Sequence, residues 1–433
     1  LLRSLSFCLA AIPLATALAV AQDGAPPSDA RDRVRGVREL ARQGSVSIPQ
    51  IAAYLDDVDL RVRVEAVKAL VEIGGRATLD PLVKATSDPD AEVQIRAVDG
   101  LVNFYVPGYL KTGLSATLSR AGNVIRVKFP SENTQVVEPG IEVRPEVITA
   151  IGRLARGSSS FEVRANAARA VGILRGRAAV PDLIEAIRTK QDLVIYESLI
   201  ALQKIGDPAA GPRIQFLVRD LDERIQSTAI ETLGLLKTRD AIPAIRDVIG
   251  RSSSPKVKQA ALSALAQMPD QASRSLFMLY LEDKDAALRT ASLEGLARLE
   301  NPADVPAFQK AFDGERRMEP RLAAAFGLVR AGKREMHEFS PLRYLVNTLN
   351  SKLHRQIAHA YLIELARDKA VRQSLYPVLS TGTRDEKSLL GMALAASGDA
   401  ATLPFLQALA RDPDLMVAQE GIKALRTLRS RLE

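Results

Sequence analysis

Ten repeat copies run along this chain, nine of them with a small residue four before a leucine or valine, and most successive copies begin 31 or 32 residues after the last. The copies align on anchors at Val62, Val93, Val163, Val194, Ile225, Val257, Leu288, Pro320, Glu386 and Val417. Four positions on come Ala66, Ala97, Ala167, Ser198, Ala229, Ala261, Ser292, Ala324 and Gly421, with Leu390 the exception. Another four on, every copy has leucine or valine, from Leu70 to Leu425. A spacing of four places each set on one helix face, with the small residue where a neighbouring helix comes close.

Gly74, Gly206, Gly332 and Gly398 stand where that helix needs a left-handed C-terminal cap. Pro81, Pro181, Pro212, Pro243, Pro306 and Pro404 follow, each ahead of a short apolar run such as Ile242–Ile245. Proline is tolerated in a first helical turn, so it opens a second helix. Two helices in about 31 residues cannot bury their own apolar faces and must stack on the next copy. The spacing therefore predicts an all-α fold, a right-handed α-solenoid of about 11–12 helix pairs, read as one elongated domain over residues 31–433.

These repeats resemble the short HEAT-like units named after phycobilisome lyases, carried by stretches such as Glu162-Val163-Arg164-Ala165-Asn166-Ala167 and Ala241-Ile242-Pro243-Ala244-Ile245. The resemblance covers roughly residues 31–103 and 144–433. It implies the solenoid fold and is weak for function, because such repeats serve many purposes.

The spacing stretches between Pro320 and Glu386, and the rhythm fails most strongly between Val93 and Val163, which are 70 residues apart. Within this insertion, about 104–143, Val124–Phe129 alternates apolar and basic residues, and Gln135–Val137 and Ile141–Val143 are candidate pairing strands. A small β-containing excursion is expected there. Phe104, Tyr105, Tyr109 and Phe129 are four of the 19 aromatic residues of the chain. With Arg126 and Lys128 between them they form either a partner anchor or the insertion's own mini-core.

The first 21 residues carry Arg3, an apolar stretch to Val20 and the small-x-small site Ala19-Val20-Ala21, the layout of a secretory signal peptide. Residues 22–30 read as a disordered leader. The expectation is a periplasmic or extracellular protein with no membrane span after cleavage and no cysteine, since Cys8, the single one, lies in the apolar stretch. The formal charge of +8 falls to +7 without Arg3, too mild an excess to point to nucleic acid.

No phosphate loop or nucleophile elbow is present, and His337, His354 and His359 show no four-residue spacing suited to a metal. HEAT-like repeats also form deoxyhypusine hydroxylase, whose di-iron site uses several His-Glu pairs; only His337-Glu338 matches here. Beyond the repeat, nothing in these residues supports bilin attachment. Basic residues one after the anchor, including Arg63, Arg164, Arg289 and Lys387, read as a structural ladder with the repeated Asp residues. Three residues after the repeat proline, Lys84, Gln215, Arg246, Gln309 and Gln407 form a polar column on the second helices. The sequence is thus read as a monomeric, non-enzymatic scaffold that takes no cofactor. It binds a protein or peptide through this column and the insertion, with a HEAT-like enzyme of lyase or hydroxylase type as the alternative.

Overall fold

In the computed structural model, residues 29–111, 135–138 and 140–433 are described, and among them every regular element is helical. The chain divides into two compact units, Leu1–Gly100 and Leu101–Glu433. Each is built from the expected pairs, a long helix followed by a short 3₁₀ turn and a second helix. In the first unit the pairs are Ala30–Arg42 with Ile48–Ala53 and Leu60–Ile73 with Leu79–Ala85. In the second unit the long helices Phe161–Ile173, Asp192–Ile205, Glu223–Leu235, Pro255–Gln267, Ala286–Leu299 and Met318–Arg330 pack each against the next. This is the all-α solenoid the period predicts.

The repeat positions do the work their residue types suggest. The small residues Ala66, Ala97, Ala167, Ser198, Ala229, Ala261, Ser292 and Ala324 are completely buried. Two glycines one turn further on set how close the long helices come: a Cβ on Gly172 would lie 2.6 Å from Ala201 Cα, and one on Gly234 would lie 2.8 Å from Ala264 Cα. The repeat prolines lie in the first turns of Val180–Ile187, Gly211–Ile214, Ile242–Arg251, Val305–Gly314 and Leu403–Leu409. Gly206 adopts the left-handed cap, whereas Gly398 is extended at φ −72° and leaves room for Leu394 O and Thr402. Glu386 stands at an anchor position yet is buried, because it closes a capping box with Thr383 and accepts from Arg343 and Asn350.

An Asp-x-Asp turn ties successive pairs together. In Asp57/Asp59, Asp88/Asp90, Asp220/Asp222, Asp283/Asp285 and Asp412/Asp414 the first carboxylate accepts the backbone N–H of the second aspartate. The second accepts from the first turn of the long helix, as Asp59 does from Arg61 N and Asp414 from Met416 N. The basic residue after the anchor then crosses to the next turn: Arg63 to Asp88 at 2.7 Å, Arg289 to Glu315 at 2.6 Å and Lys387 to Asp412 at 2.9 Å. Where no carboxylate is offered, Arg164 donates to Ala155 O and Arg156 O instead.

Of the expected β-excursion only the flanking segments are described. Val124–Phe129 lies outside the described residues, and Gln135–Val137 and Ile141–Val143 form no strand. The reason is visible at Val137, whose side chain is buried and whose N–H donates to Ile173 O at 2.8 Å. This backbone satisfies itself on the end of a helix, so no ladder is needed.

Candidate functional site

Three stacked long helices, Ala286–Leu299, Met318–Arg330 and Arg355–Leu365, each place two functional side chains one turn apart near their C-terminal ends. These are Glu294 and Arg298, Phe326 and Arg330, and Tyr361 and Glu364. The four- or three-residue spacing keeps each pair on one face. Stacking joins the three faces into one cluster.

Arg298 is its centre. Its Nε lies 3.1 Å from both oxygens of Glu364, its Nη2 donates to Glu364 Oε2 at 3.0 Å, and its Nη1 donates to Glu294 Oε2 and Ala266 O, both at 3.2 Å. Arg330 approaches Glu364 from the other side, Nη1 to Oε1 at 3.2 Å, donates to Ala297 O at 3.1 Å and pairs with Glu300. Tyr361 donates its hydroxyl to Glu294 Oε1. Its ring stacks on Phe326 with centroids 4.8 Å apart, and both guanidiniums lie over the Phe326 ring at 5.2 and 5.6 Å.

Burial sets the electrostatics. It pushes the Tyr361 phenol well above the usual tyrosine range, and the charge and hydrogen bond of Glu294 push the same way. Burial also works against the charge on Arg298, but the hydrogen bond to Glu364 and the field of Glu294 more than offset it. At the end of the neighbouring helix Glu223–Leu235, Lys237 is lowered by desolvation and by Arg298, and its ammonium donates to Gln267 O at 2.7 Å. The cluster thus holds two oriented guanidiniums and a phenol that stays protonated far above neutral pH. Such a set can bind carboxylates in a defined orientation.

The residues singled out from sequence lie elsewhere. Tyr105 and Tyr109 are buried, and the Tyr105 hydroxyl accepts the backbone N–H of Arg144 at 3.2 Å, so neither tyrosine presents its ring to a partner. Arg126, Lys128 and Phe129 lie outside the described residues. In the polar column, Lys84 pairs with Asp56, Gln215 donates to Asp240 O at 3.2 Å and Gln309 to Asp313 at 2.8 Å; Arg246 is half-buried and Gln407 exposed. None enters the cluster. Among the described residues no group of three or more His, Cys, Asp or Glu side chains converges in a way that could hold a metal, so the donor set of a di-iron hydroxylase is not assembled there. No described helix is long and apolar enough to cross a membrane.

A family model described as HEAT repeats matches residues 18–102, 148–213, 210–278 and 247–329, well over half of the chain. This chain belongs to the HEAT repeat family. Among curated proteins, the HEAT repeat chain is 33% identical to the bilin biosynthesis protein PecE of Mastigocladus laminosus over 146 residues, 33% of this chain and 53% of that protein. It is 35% identical to the PecE of Nostoc sp. (strain PCC 7120) over 89 residues, 20% of this chain and 35% of the relative. The HEAT repeat chain thus spans about half the length, or less, of the curated relatives it matches. The solved complex of CpcE and CpcF of phycocyanin lyase from Nostoc sp. PCC7120 is 20% identical, covers 70% of this chain and all of that one, and superposes at a TM-score of 0.36, too loosely to bear on function.

The curated relatives overturn the expectation of a non-enzymatic scaffold, and with it the reading that the protein is not an enzyme, because both are named for a biosynthetic process. The residues missed were those of the cluster. At its positions the repeats carry Lys68, Glu231, Ser263 and Met392 as readily as Glu294 or Phe326, so no period marks them. The usable signal was two arginines, Arg298 and Arg330, in the last turns of successive long helices.

Proposed function

We propose that this HEAT repeat protein is a lyase-type enzyme component that handles a bilin or a chemically similar ligand. The observation that carries the reading is the 33% identity over 146 residues to a bilin biosynthesis protein. The cluster supports it chemically. A bilin is a conjugated chain of four pyrrole-type rings bearing carboxylates, and Arg298 and Arg330 are preset to exchange the carboxylate of Glu364 for one of a ligand. Tyr361, held protonated, donates to Glu294 Oε1 and keeps that carboxylate turned so that its other oxygen meets Arg298.

The test is spectroscopic. Biliverdin added to the purified chain should show a shifted and sharpened long-wavelength band, reduced at least about tenfold in apparent affinity by Arg298→Ala or Arg330→Ala. A spectrum identical to that of free biliverdin, at protein concentrations well above the ligand, would sink the reading. The acceptor of the chemistry is proposed to be a protein partner. Export is proposed from the layout of residues 1–21; a fused periplasmic reporter that stays inactive would refute it.

A further inference from the structure

Three grooves recur at equivalent repeat positions, each between successive second helices and crossed by the basic residue after the anchor. The groove at Arg63 encloses about 440 Å³, that at Arg289 about 460 Å³ and that at Lys387 about 650 Å³. Two pairs of substitutions within the repeat set the third groove apart. The first two grooves are bridged by an ion pair between neighbouring repeats, Lys84 with Asp56 and Lys310 with Glu282 at 2.5 Å. At the same two repeat positions the third groove has Ala408 and Ser380, which cannot bridge it.

The second change is aromatic. Where the other grooves carry Ala52 with Pro81 and Met278 with Ala307, the third carries Tyr376 and Phe405. Their rings stack at 3.8 Å and 6°, and the Tyr376 hydroxyl is held by Thr402 at 3.0 Å. Phe405 keeps 38% of its surface exposed. At the rim, Arg411 is exposed and makes no ion pair among the described residues, while Lys387 is already held by Asp412. The groove therefore offers an aromatic wall, an open mouth and one uncommitted cation.

We propose that this groove, formed by Lys369–Leu375, Val378–Thr381 and Leu403–Leu409, is a binding site for a small planar aromatic carboxylate. The ring lies against the Tyr376–Phe405 wall and the carboxylate faces Arg411. The volume lies in the range of small-ligand pockets, about 300–1,000 Å³. The site is distinct from the Arg298 cluster and stands independently of the function proposed for it.

The probe is 2-naphthoate, followed by titration calorimetry on the full chain, with a dissociation constant of about 0.1 mM expected for a ligand of this size. Rebuilding the bridge with Ser380→Asp/Ala408→Lys should weaken binding at least about tenfold while circular dichroism shows the fold intact, because that pair is native to the other grooves. Arg411→Gln should weaken 2-naphthoate by about tenfold and leave the neutral 2-naphthol unchanged. No heat at about 5 mM ligand, an unaffected bridged variant or an Arg411→Gln variant that weakens both probes equally would each overturn the proposal. So would a tyrosine- or phenylalanine-bearing peptide that occupies the groove when 2-naphthoate does not, an outcome that makes it a protein-docking surface.

Discussion

Arg169 and Glu197 face each other between the helices Phe161–Ile173 and Asp192–Ile205 through two N–H···O bonds of 2.6 and 3.1 Å, and both side chains are nearly removed from solvent. Arg169 stands at the repeat position that also carries Lys68, Glu231 and Glu294. Lys204, two turns beyond Glu197, is lowered chiefly by desolvation. The same helix face that forms the Arg298 cluster forms a smaller ionic cluster here.

Breaking this pair from one side leaves a buried charge alone. Arg169→Ala should destabilise the second unit by about 3–5 kcal/mol in urea unfolding, whereas Arg169→Met/Glu197→Leu should cost far less. A single variant no more harmful than the double one would mean that the pair is not desolvated.

Acid should weaken the protein through its aspartate turns. Asp59 is lowered to about 2 by its hydrogen bonds from Arg61, against an ordinary 3.8. Asp222, Asp412 and Asp414 are lowered by hydrogen bonds from Arg224, Lys387 and Arg384. A carboxylate lowered in the folded state contributes its full stability above its unfolded value and loses it as pH falls through the folded one. Thermal midpoints should therefore hold down to about pH 4 and drop between about pH 4 and 2, with a shallower drop in Asp412→Asn. A midpoint unchanged at the acid end would contradict the ladder.

Of the 8 tyrosines in the chain, Tyr344 and Tyr361 should ionise late, both raised first by burial. An absorbance titration at the tyrosinate band of the native protein should leave part of the amplitude for the unfolding transition, and Tyr361→Phe should remove a share of that late amplitude. If Tyr361→Phe takes its share from the ordinary phase near pH 10, the phenol is not held by Glu294.

Close helix packing can be probed at one glycine. A Cβ at Gly234 meets Ala264 at 2.8–2.9 Å, so Gly234→Ala should cost about 1–3 kcal/mol. At Gly250, also helical, an added methyl would have nothing within 4 Å, and Gly250→Ala should be neutral or stabilise by up to about 1 kcal/mol. Equal effects at the two positions would remove the reason given for Gly234.

Much of the fold was legible because it is local and repeated. The anchors, the small residues and the prolines act within one helix pair, and their burial follows from a period anyone can count. At Gln135–Val137, a candidate pairing strand in the sequence, no ladder forms, and Val137 donates to the carbonyl of Ile173. Of the aromatic residues read as either a partner anchor or a mini-core, Tyr105 and Tyr109 are buried, while Lys84 of the polar column is exposed and pairs with Asp56.

By itself the sequence determined the helix pairs, their order and their stacking, since each rests on contacts within or between adjacent copies. Only the tertiary structure decided which charges meet. Arg298 binds Glu364 from 66 residues away, across the intervening helix that bears Phe326 and Arg330, and Tyr376 finds Phe405 from the next helix pair. Such pairings depend on rotamers and helix offsets set by packing, and a repeat period carries no record of them.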